Sequence, residues 1–530
     1  MVAEPPVVLD AGPRPDASDR PGAGFLRVTF SPDGDGRGDR VWIHVHATAG
    51  DRVVLDVRRE SGSEDFRVAE PNQPSGSATL SWDGVDAAGN MFPVGSYVIH
   101  VCSASTRLCA RTRILAHLRL LSVFTPRATA VSVRETIPVV IDTDRLGPYT
   151  LDLAPAANPK APGAGAQIVA QAGRVDYRIP EVAGGLWLLR VSSGPFVTRF
   201  PLVVHEPAIQ VDDPPRGSAL VVDPYITWRA YDQSDLDRDG RVDSWYAHPL
   251  QPVVPLTGPF ERLRREASLA GREASPENQR AFAEWMQKHH LVAQYVTDVE
   301  LGRMPLDVLR RYAMIVFPGH TEYYERETYE RLLRFRNEGG RLYFMSGNSF
   351  YGEVAVGRSQ IVRLSYRYRT RERSDFRIAA TGFQVCCWPA SITPHYHLAA
   401  GVGRRLPWLL QGTTLRAGDD FGIAMGEVDT VDPTLSPPGT VTIASATVKR
   451  FSNRASAEAT GWIGTRPFSY EPAGARERGI AIAYAATGRG EVFSWGDTGF
   501  MASLFDKALP ATERADLDRV ALNVWQRFTR

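Results

Sequence analysis

From residue 25 to about 205 the chain alternates apolar and polar positions in short runs: FLRVTF, RVWIHVHA, RVVLDVRR, SATLSW, GSYVIHVCS and LCARTRILAH, then AVSVRETIPVVI, YTLDLAPA, GRVDYRIP, GLWLLRVSS and FVTRFPLVVH. A period of two places every second side chain on one buried face of a strand. Short strands separated by turn residues at regular spacing predict β-sandwiches. The two series predict two of them, over 23–118 and 119–205. Residues 1–22 carry Pro, Gly, Asp and Ala without a period and predict a disordered lead-in. EPAIQVDDPPRGS, residues 206–218, is rich in Pro and Asp and predicts a linker.

Beyond it the period changes to 3.6. SPENQRAFAEWMQKHH offers Ser275 as N-cap, Pro276 in the first turn, and Phe282, Trp285, Met286 and His289 on one face. LVAQYVTD predicts a strand, PLDVLRRY a short helix and AMIVFPG a buried strand. RETYERLLRFRNEGG predicts a helix stopped by Gly339, RLYFMSG another strand, and TERADLDRVALNVWQRF a closing helix with Leu517, Val520, Ala521, Val524 and Phe528 as its apolar stripe. Strands alternating with helices predict a parallel sheet with right-handed crossovers. Residues 219–530 therefore read as α/β, with β-rich insertions between about 355 and 495, and the whole chain as multidomain β plus α/β.

Composition narrows this picture. The 530 residues exceed what one core holds and predict two to four domains. Lys and Arg number 61 and Asp and Glu 60, so the marked basic excess of a nucleic-acid protein is missing. The basic stretch YRYRTRERSDFR then reads as an Arg-lined strand facing solvent. No 18-residue apolar window predicts a membrane span. The first 24 residues have neither the basic start nor the apolar stretch of a signal peptide. Cysteines number 4, too few for a disulfide scaffold. Cys102 and Cys109 flank a turn and are placed to face each other, bridged or free, while Cys386 and Cys387 read as buried thiols.

Candidate chemistry lies where strands end, because ligands of parallel sheets bind beyond the carboxyl ends. AMIVF runs into PGHTEYYE, which places His320, Glu322, Tyr323 and Tyr324 there. RLYF runs into MSGNSFYGE with Ser346, Asn348, Tyr351 and Glu353, and GDDFGIAMGEVDTVDP adds Glu427, Asp429 and Asp432. DLDRDGRVD places Asp235, Asp237, Asp239 and Asp243 like the early positions of a calcium loop, without the closing Glu. Asp33, Asp35 and Asp39 form a weaker group of the same kind. Cys386, Cys387, His395 and His397 lie together without a zinc spacing. His44 and His46 share one face of a strand, a structural pair.

The stretches ITWRAYD, HHLVAQYVTDVEL, FPGHTEYY, GGRLYFMSGNSFY and GRGEVFSWGDTGF resemble, in order, the C-terminal domain of the N,N-dimethylformamidase large subunit. The resemblance covers about residues 219–530 and implies a layer related to class I glutamine amidotransferase folds. It also implies a mononuclear iron held by two tyrosines and a glutamate, which fall on Tyr323, Tyr351 and Glu427. Phenolate and carboxylate oxygens are hard donors and suit ferric iron. His320, Glu322 and Asn348 beside them are candidates to orient water or to protonate a leaving amine. Ser346, with His320 as base, is a second candidate nucleophile. FSPDGDGRGD and LSWDGVDAAGNMFPVGSYVIHV resemble the Ig-like domain of flagellar hook-capping proteins, with Trp82 and Tyr97 as core residues and Gly84, Gly89 and Gly95 in turns. The expected function is iron-dependent hydrolysis of a C–N amide bond in a small molecule. The rivals are an extracellular ligand-binding protein and an adhesion module. Ig-like modules and Asp-rich loops favour a place outside the cytoplasm, and a homo-oligomer is compatible with the sequence.

Overall fold

The computed structural model describes residues 7–12, 25–30, 40–47, 52–59, 65–68, 76–84, 95–103, 106–110, 113–118, 122–142, 148–193, 196–232, 245, 252–260, 278–366, 374–386, 394–424, 426–449, 477–506 and 509–530. Over these the chain is mainly β-sheet with few helices. The alternating runs of the first series form two sheets. Phe25–Phe30, Arg113–Leu118, Gly95–Ser103, Val53–Arg59 and Asp65–Val68 make one, and Val7–Gly12, Val41–Ala47 and Gly76–Trp82 the other. Their inward positions, among them Val41, Ile43, Val45, Leu55, Val57, Ile99 and Val101, close one core. Within it the Trp82 ring lies 5.1 Å from Phe30 and 5.5 Å from Tyr97. Cys102 and Cys109 are bridged and close the turn between them.

The expectation of a disordered lead-in needs correcting at Val7–Gly12, which pairs antiparallel with Val41–Ala47. VVLDAG is a short strand-forming run hidden among prolines, and an open sheet edge supplies its partner. Of the basic stretch, Tyr366 ends the strand Gln360–Tyr366 and residues 367–373 lie outside the described residues, but its end departs from a strand. Its last residues begin the helix Ser374–Ala379, with Phe376 buried and Asp375 accepting the Phe383 N–H at 3.1 Å.

The second series builds a three-stranded and a four-stranded sheet, the latter centred on Tyr149–Pro155 and Gly185–Ser193. Their core runs on into that of the C-terminal region without a break. Polar contacts cross the same boundary. Thr297 Oγ1 donates to the Ala128 carbonyl at 2.8 Å, and Glu300 Oε2 accepts the Ala130 N–H at 3.2 Å. Segment 206–218 is tied down along its length. Its Glu206 N–H donates to Gln294 at 2.7 Å, Ile209 is buried, and the Val211 carbonyl accepts Tyr312 Oη at 2.7 Å.

His205 joins this boundary. Its Nε2 lies 3.2 Å from Glu300 Oε1 and its Nδ1 2.9 Å from the Tyr295 carbonyl. Burial works against the charged ring, but Glu300 outweighs it and raises the pKa above the ordinary histidine value. A folded pKa above the unfolded one stabilises fully below the unfolded value, and the gain is lost as pH rises through the folded value. Wild type is therefore expected to melt above His205→Asn at about pH 6, with the gap closing towards about pH 9. A gap that widens with pH in paired melting curves would refute the assignment.

Among the described residues of the C-terminal region, nine strands form one sheet. Its order is Gln294–Thr297, Ala219–Asp223, Met314–Phe317, Arg341–Phe344, Gly490–Ser494, Glu477–Thr487, Val441–Lys449, His395–Leu398 and Asp420–Ile423. The first five are parallel neighbours. MIVF and its neighbours are buried on both faces, as parallel strands covered by helices require. Arg326–Asn337 and Ala511–Thr529 are among those helices, and all five residues of the closing stripe are buried. The chain reverses beyond Arg326–Asn337 through Gly339, whose φ of 122° favours glycine. The β-rich insertion is no separate body, since four of its strands extend the same sheet antiparallel. Among the described residues no helix is long and apolar enough to cross a membrane.

Candidate functional site

The first strand in chain order, Ala219–Asp223, sits between the second, Gln294–Thr297, and the third, Met314–Phe317. The chain thus leaves it in one direction and returns on the other side. Loops beyond such a switch point part and leave a crevice at the carboxyl ends of the strands. One wall is the helix Tyr225–Tyr231, and the other is the loop that carries His320 and Glu322.

Backbone anchors hold this loop. Thr227 Oγ1 accepts the N–H groups of Glu322 at 3.0 Å and Tyr323 at 3.3 Å. Tyr231 Oη donates to Glu322 Oε2 at 2.7 Å, and its ring stands edge-on to His320 at 5.5 Å. The next loop, 345–351, closes against the first. Phe350 N donates to the Thr321 carbonyl at 2.7 Å and Tyr351 N to that of Glu322 at 2.6 Å. Asn348 and Phe350 hold positive φ values of 47° and 58°, a strained choice for residues with a Cβ. The strain is offset by specific bonds: Asn348 N donates to Asp429 Oδ1 at 2.9 Å, and Asn348 Nδ2 to Glu427 Oε2 at 2.6 Å.

Glu427 comes from a third segment, the strand Glu427–Thr430, which pairs with Gly382–Cys386. Its N–H donates to Thr498 Oγ1 at 2.9 Å, while its carbonyl accepts the Thr498 N–H at 3.0 Å. The carboxylate then meets His320, with Oε2 3.1 Å from Nε2, and Glu322 Oε2 lies 3.9 Å from the same nitrogen. His320, Glu322, Asn348, Glu427 and Asp429 are all buried. Burial alone would keep the imidazole neutral, but Glu427, Glu322 and Asp429 raise its pKa above the ordinary value. Both ring nitrogens of His320, Asn348 Oδ1 and Ser349 Oγ are buried without an aligned hydrogen-bond partner among the described residues, Nε2 meeting Glu427 by proximity alone. Unsatisfied buried polar atoms are costly and mark places where a ligand or water is to be bound.

The structure thus brings His320, Glu322, Asn348 and Glu427 into one buried group. Tyr323, in the short strand Tyr323–Tyr324, and Tyr351 are buried beside them in sequence, with the Tyr323 ring 4.7 Å from Trp245 and the Tyr351 ring 5.4 Å from Phe383. Ser346 Oγ donates to the Gly347 carbonyl at 3.4 Å, whereas His320 turns its Nε2 to Glu427. Tyr324 Oη donates to Ser374 at 2.9 Å, Glu353 pairs with Arg326 at 2.6 Å, and Asp432 caps a turn through the Thr434 N–H at 2.8 Å. Asp33, Asp35, Asp39 and the calcium candidates Asp235, Asp237, Asp239 and Asp243 lie outside the described residues, as does Cys387. Sequence reasoning missed Thr227 and Tyr231. Both sit in ITWRAYD, a segment read for its resemblance alone.

The profile of N,N-dimethylformamidase beta subunit-like proteins, C-terminal, matches residues 172–511. The chain belongs to that family. The match starts within the second sandwich, in keeping with the continuous core found there. No curated protein matches the chain. Similar solved structures include a catalytic mutant of a GH42 beta-galactosidase from G. stearothermophilus, at 10% identity and a TM-score of 0.27, over 55% of this chain and 29% of that one. Domains 3 and 4 of rat CD4 align at 13% identity and a TM-score of 0.14, over 34% of this chain and 99% of that one. The four N-terminal Ig domains of a Dscam1 isoform align at 12% identity and 0.14, over 34% and 43%. Likeness at this level decides nothing about chemistry.

Proposed function

We propose that this protein hydrolyses the C–N bond of a small amide at an iron centre held by Tyr323, Tyr351 and Glu427. The observation that carries the reading is the meeting of His320, Glu322, Asn348 and Glu427 at the switch-point crevice of a chain in the dimethylformamidase family. The parallel sheet supports a relation to class I glutamine amidotransferase folds, and the Trp82–Tyr97 core supports a hook-capping-type Ig-like module.

The residues fit an iron ion. Three buried carboxylates, from Glu427, Glu322 and Asp429, act together on His320, and such a concentration of negative charge is relieved by a cation. Two buried phenols and a carboxylate offer hard oxygen donors, which suit ferric iron. When bound, the ion supplies Lewis acidity towards an amide carbonyl. His320 holds a proton at Nε2 against Glu427 and is placed to pass it to the departing amine. Asn348 Nδ2 and the Thr498 hydroxyl fix Glu427 in place, and Tyr231 does the same for Glu322. Asn348 Oδ1 and Ser349 Oγ, without a partner among the described residues, are placed to orient the amide.

The test is amine release from small linear amides by iron-loaded protein. His320→Gln is expected to lower kcat about 100-fold or more while the iron stays, the usual cost of losing a general acid. Equal rates in wild type and variant would overturn the role of His320. Iron-loaded protein that releases no amine from any small amide would favour the ligand-binding reading.

A further inference from the structure

A second cluster of metal-ligating side chains lies at the far edge of the nine-stranded sheet. His395 opens the strand His395–Leu398, Asp420 opens the edge strand Asp420–Ile423, and Glu513 stands in the first turn of the helix Ala511–Thr529. The edge strand runs close beneath that helix. Gly422 N donates to Glu513 Oε1 at 2.9 Å, and a Cβ on Gly422 would meet Leu517 at 3.2 Å. This contact delivers Glu513 to the strand ends.

The donor atoms converge. His395 Nδ1 is 3.6 Å from Asp420 Oδ2 and 3.7 Å from Glu513 Oε1, and all three atoms lie within 4.8 Å of one another. These separations exceed hydrogen-bond length, and Nδ1 is buried without a hydrogen-bond partner among the described residues. A tetrahedral zinc with bonds of about 2.0–2.1 Å places neighbouring donors roughly 3.4 Å apart, so each carboxylate oxygen needs to close on Nδ1 by only a few tenths of an ångström. His397 Nδ1 lies 3.1 Å from Asp420 Oδ1 and holds that oxygen, which leaves Oδ2 turned to the cluster.

We infer that His395, Asp420 and Glu513 form a zinc site that clamps the sheet edge to the C-terminal helix. One imidazole nitrogen and two carboxylate oxygens match zinc better than calcium or magnesium, which take oxygen alone. Three protein ligands leave a fourth position for water, and the half-exposed Asp420 provides its access. The site is separate from the crevice. Alternation along the strand turns His395 and His397 to one face and Tyr396 to the other, where Asp497 and Asp429 act on the Tyr396 phenol. It also differs from the grouping of Cys386, Cys387, His395 and His397 weighed from sequence, because its carboxylates come from distant segments.

The experiment uses the full chain, stripped with a chelator and titrated with zinc alone, with zinc and iron measured in the same samples. Wild type is expected to bind about one zinc at this site and to melt higher with it. His395→Ala and Glu513→Gln should each weaken that zinc about tenfold or more. Glu513→Gln keeps an acceptor for the Gly422 N–H, and the part-exposed His395 can be shortened without opening the core, so the pair guards against loss of fold. The Tyr323→Phe chain should keep the zinc. No zinc bound by wild type would overturn the inference, as would wild-type zinc affinity in both variants, or zinc lost with Tyr323→Phe alone. Displacement of the zinc by millimolar-range calcium would overturn the choice of ion.

Discussion

Tyr323→Phe, produced in iron-replete cells, is expected to emerge colourless and with most of its iron gone, while wild type is coloured and carries about one iron per chain. A phenolate on ferric iron donates charge to the metal and gives the colour, so the change reports on the oxygen itself. The ring has a second role, because it is buried and lies 4.7 Å from Trp245. Phenylalanine keeps that packing and removes one hydroxyl, a loss of about 1 kcal/mol at most sites. Compared in the metal-free state, the two chains should therefore melt alike. Tyr351→Phe should behave alike, since its ring rests 5.4 Å from Phe383. Metal-free wild type, or iron retained in full by both variants, would sink the proposed ligand set.

The degree to which this was readable from residues follows from where the information lies. Period-two runs announced the strands of both sandwiches, because burial of one face imprints itself on every second residue, as at Val41–Ala47. The closing helix was equally plain, its stripe repeating the helical period until all five residues met the sheet. Val7–Gly12 was not, since its partner lies thirty or more residues away and pairing across such distance leaves no local mark. Ser374–Ala379 was hidden by the arginines before it, and its Phe376 is buried in the fold.

At the site, strand ends followed by polar residues pointed to His320, Glu322 and Asn348. What they could not reveal was that Glu427, from a strand some eighty residues on, reaches both His320 and Asn348. Nor could they show His395 meeting Glu513, two residues joined only by the packing of a helix on a sheet edge. Tertiary contacts of this kind are set by topology. For Glu427 the grouping came only through the family resemblance, and for His395 with Glu513 nothing in the sequence supplied it.

Gly347→Ala should cost roughly 3 kcal/mol or more, the range of forced overpacking in a core that cannot yield. A Cβ built on Gly347 would stand 2.8 Å from both Asp497 N and Gly496 C, and 3.0 Å from the Glu427 carbonyl oxygen. All three are backbone atoms, and they are bound to one another: Asp429 N donates to the Gly496 carbonyl at 2.8 Å, and Thr498 N to that of Glu427 at 3.0 Å. No side chain can swing aside to make room. The loop itself must lift, and it carries Asn348, whose Nδ2 bond to Glu427 is 2.6 Å long. The variant should therefore unfold at lower urea and, where folded, lose most turnover together with iron affinity. Gly479→Ala is the control, because its added Cβ meets nothing within 4 Å. Gly347→Ala unfolding at the same urea concentration as Gly479→Ala would show that the three segments are not locked together at the crevice.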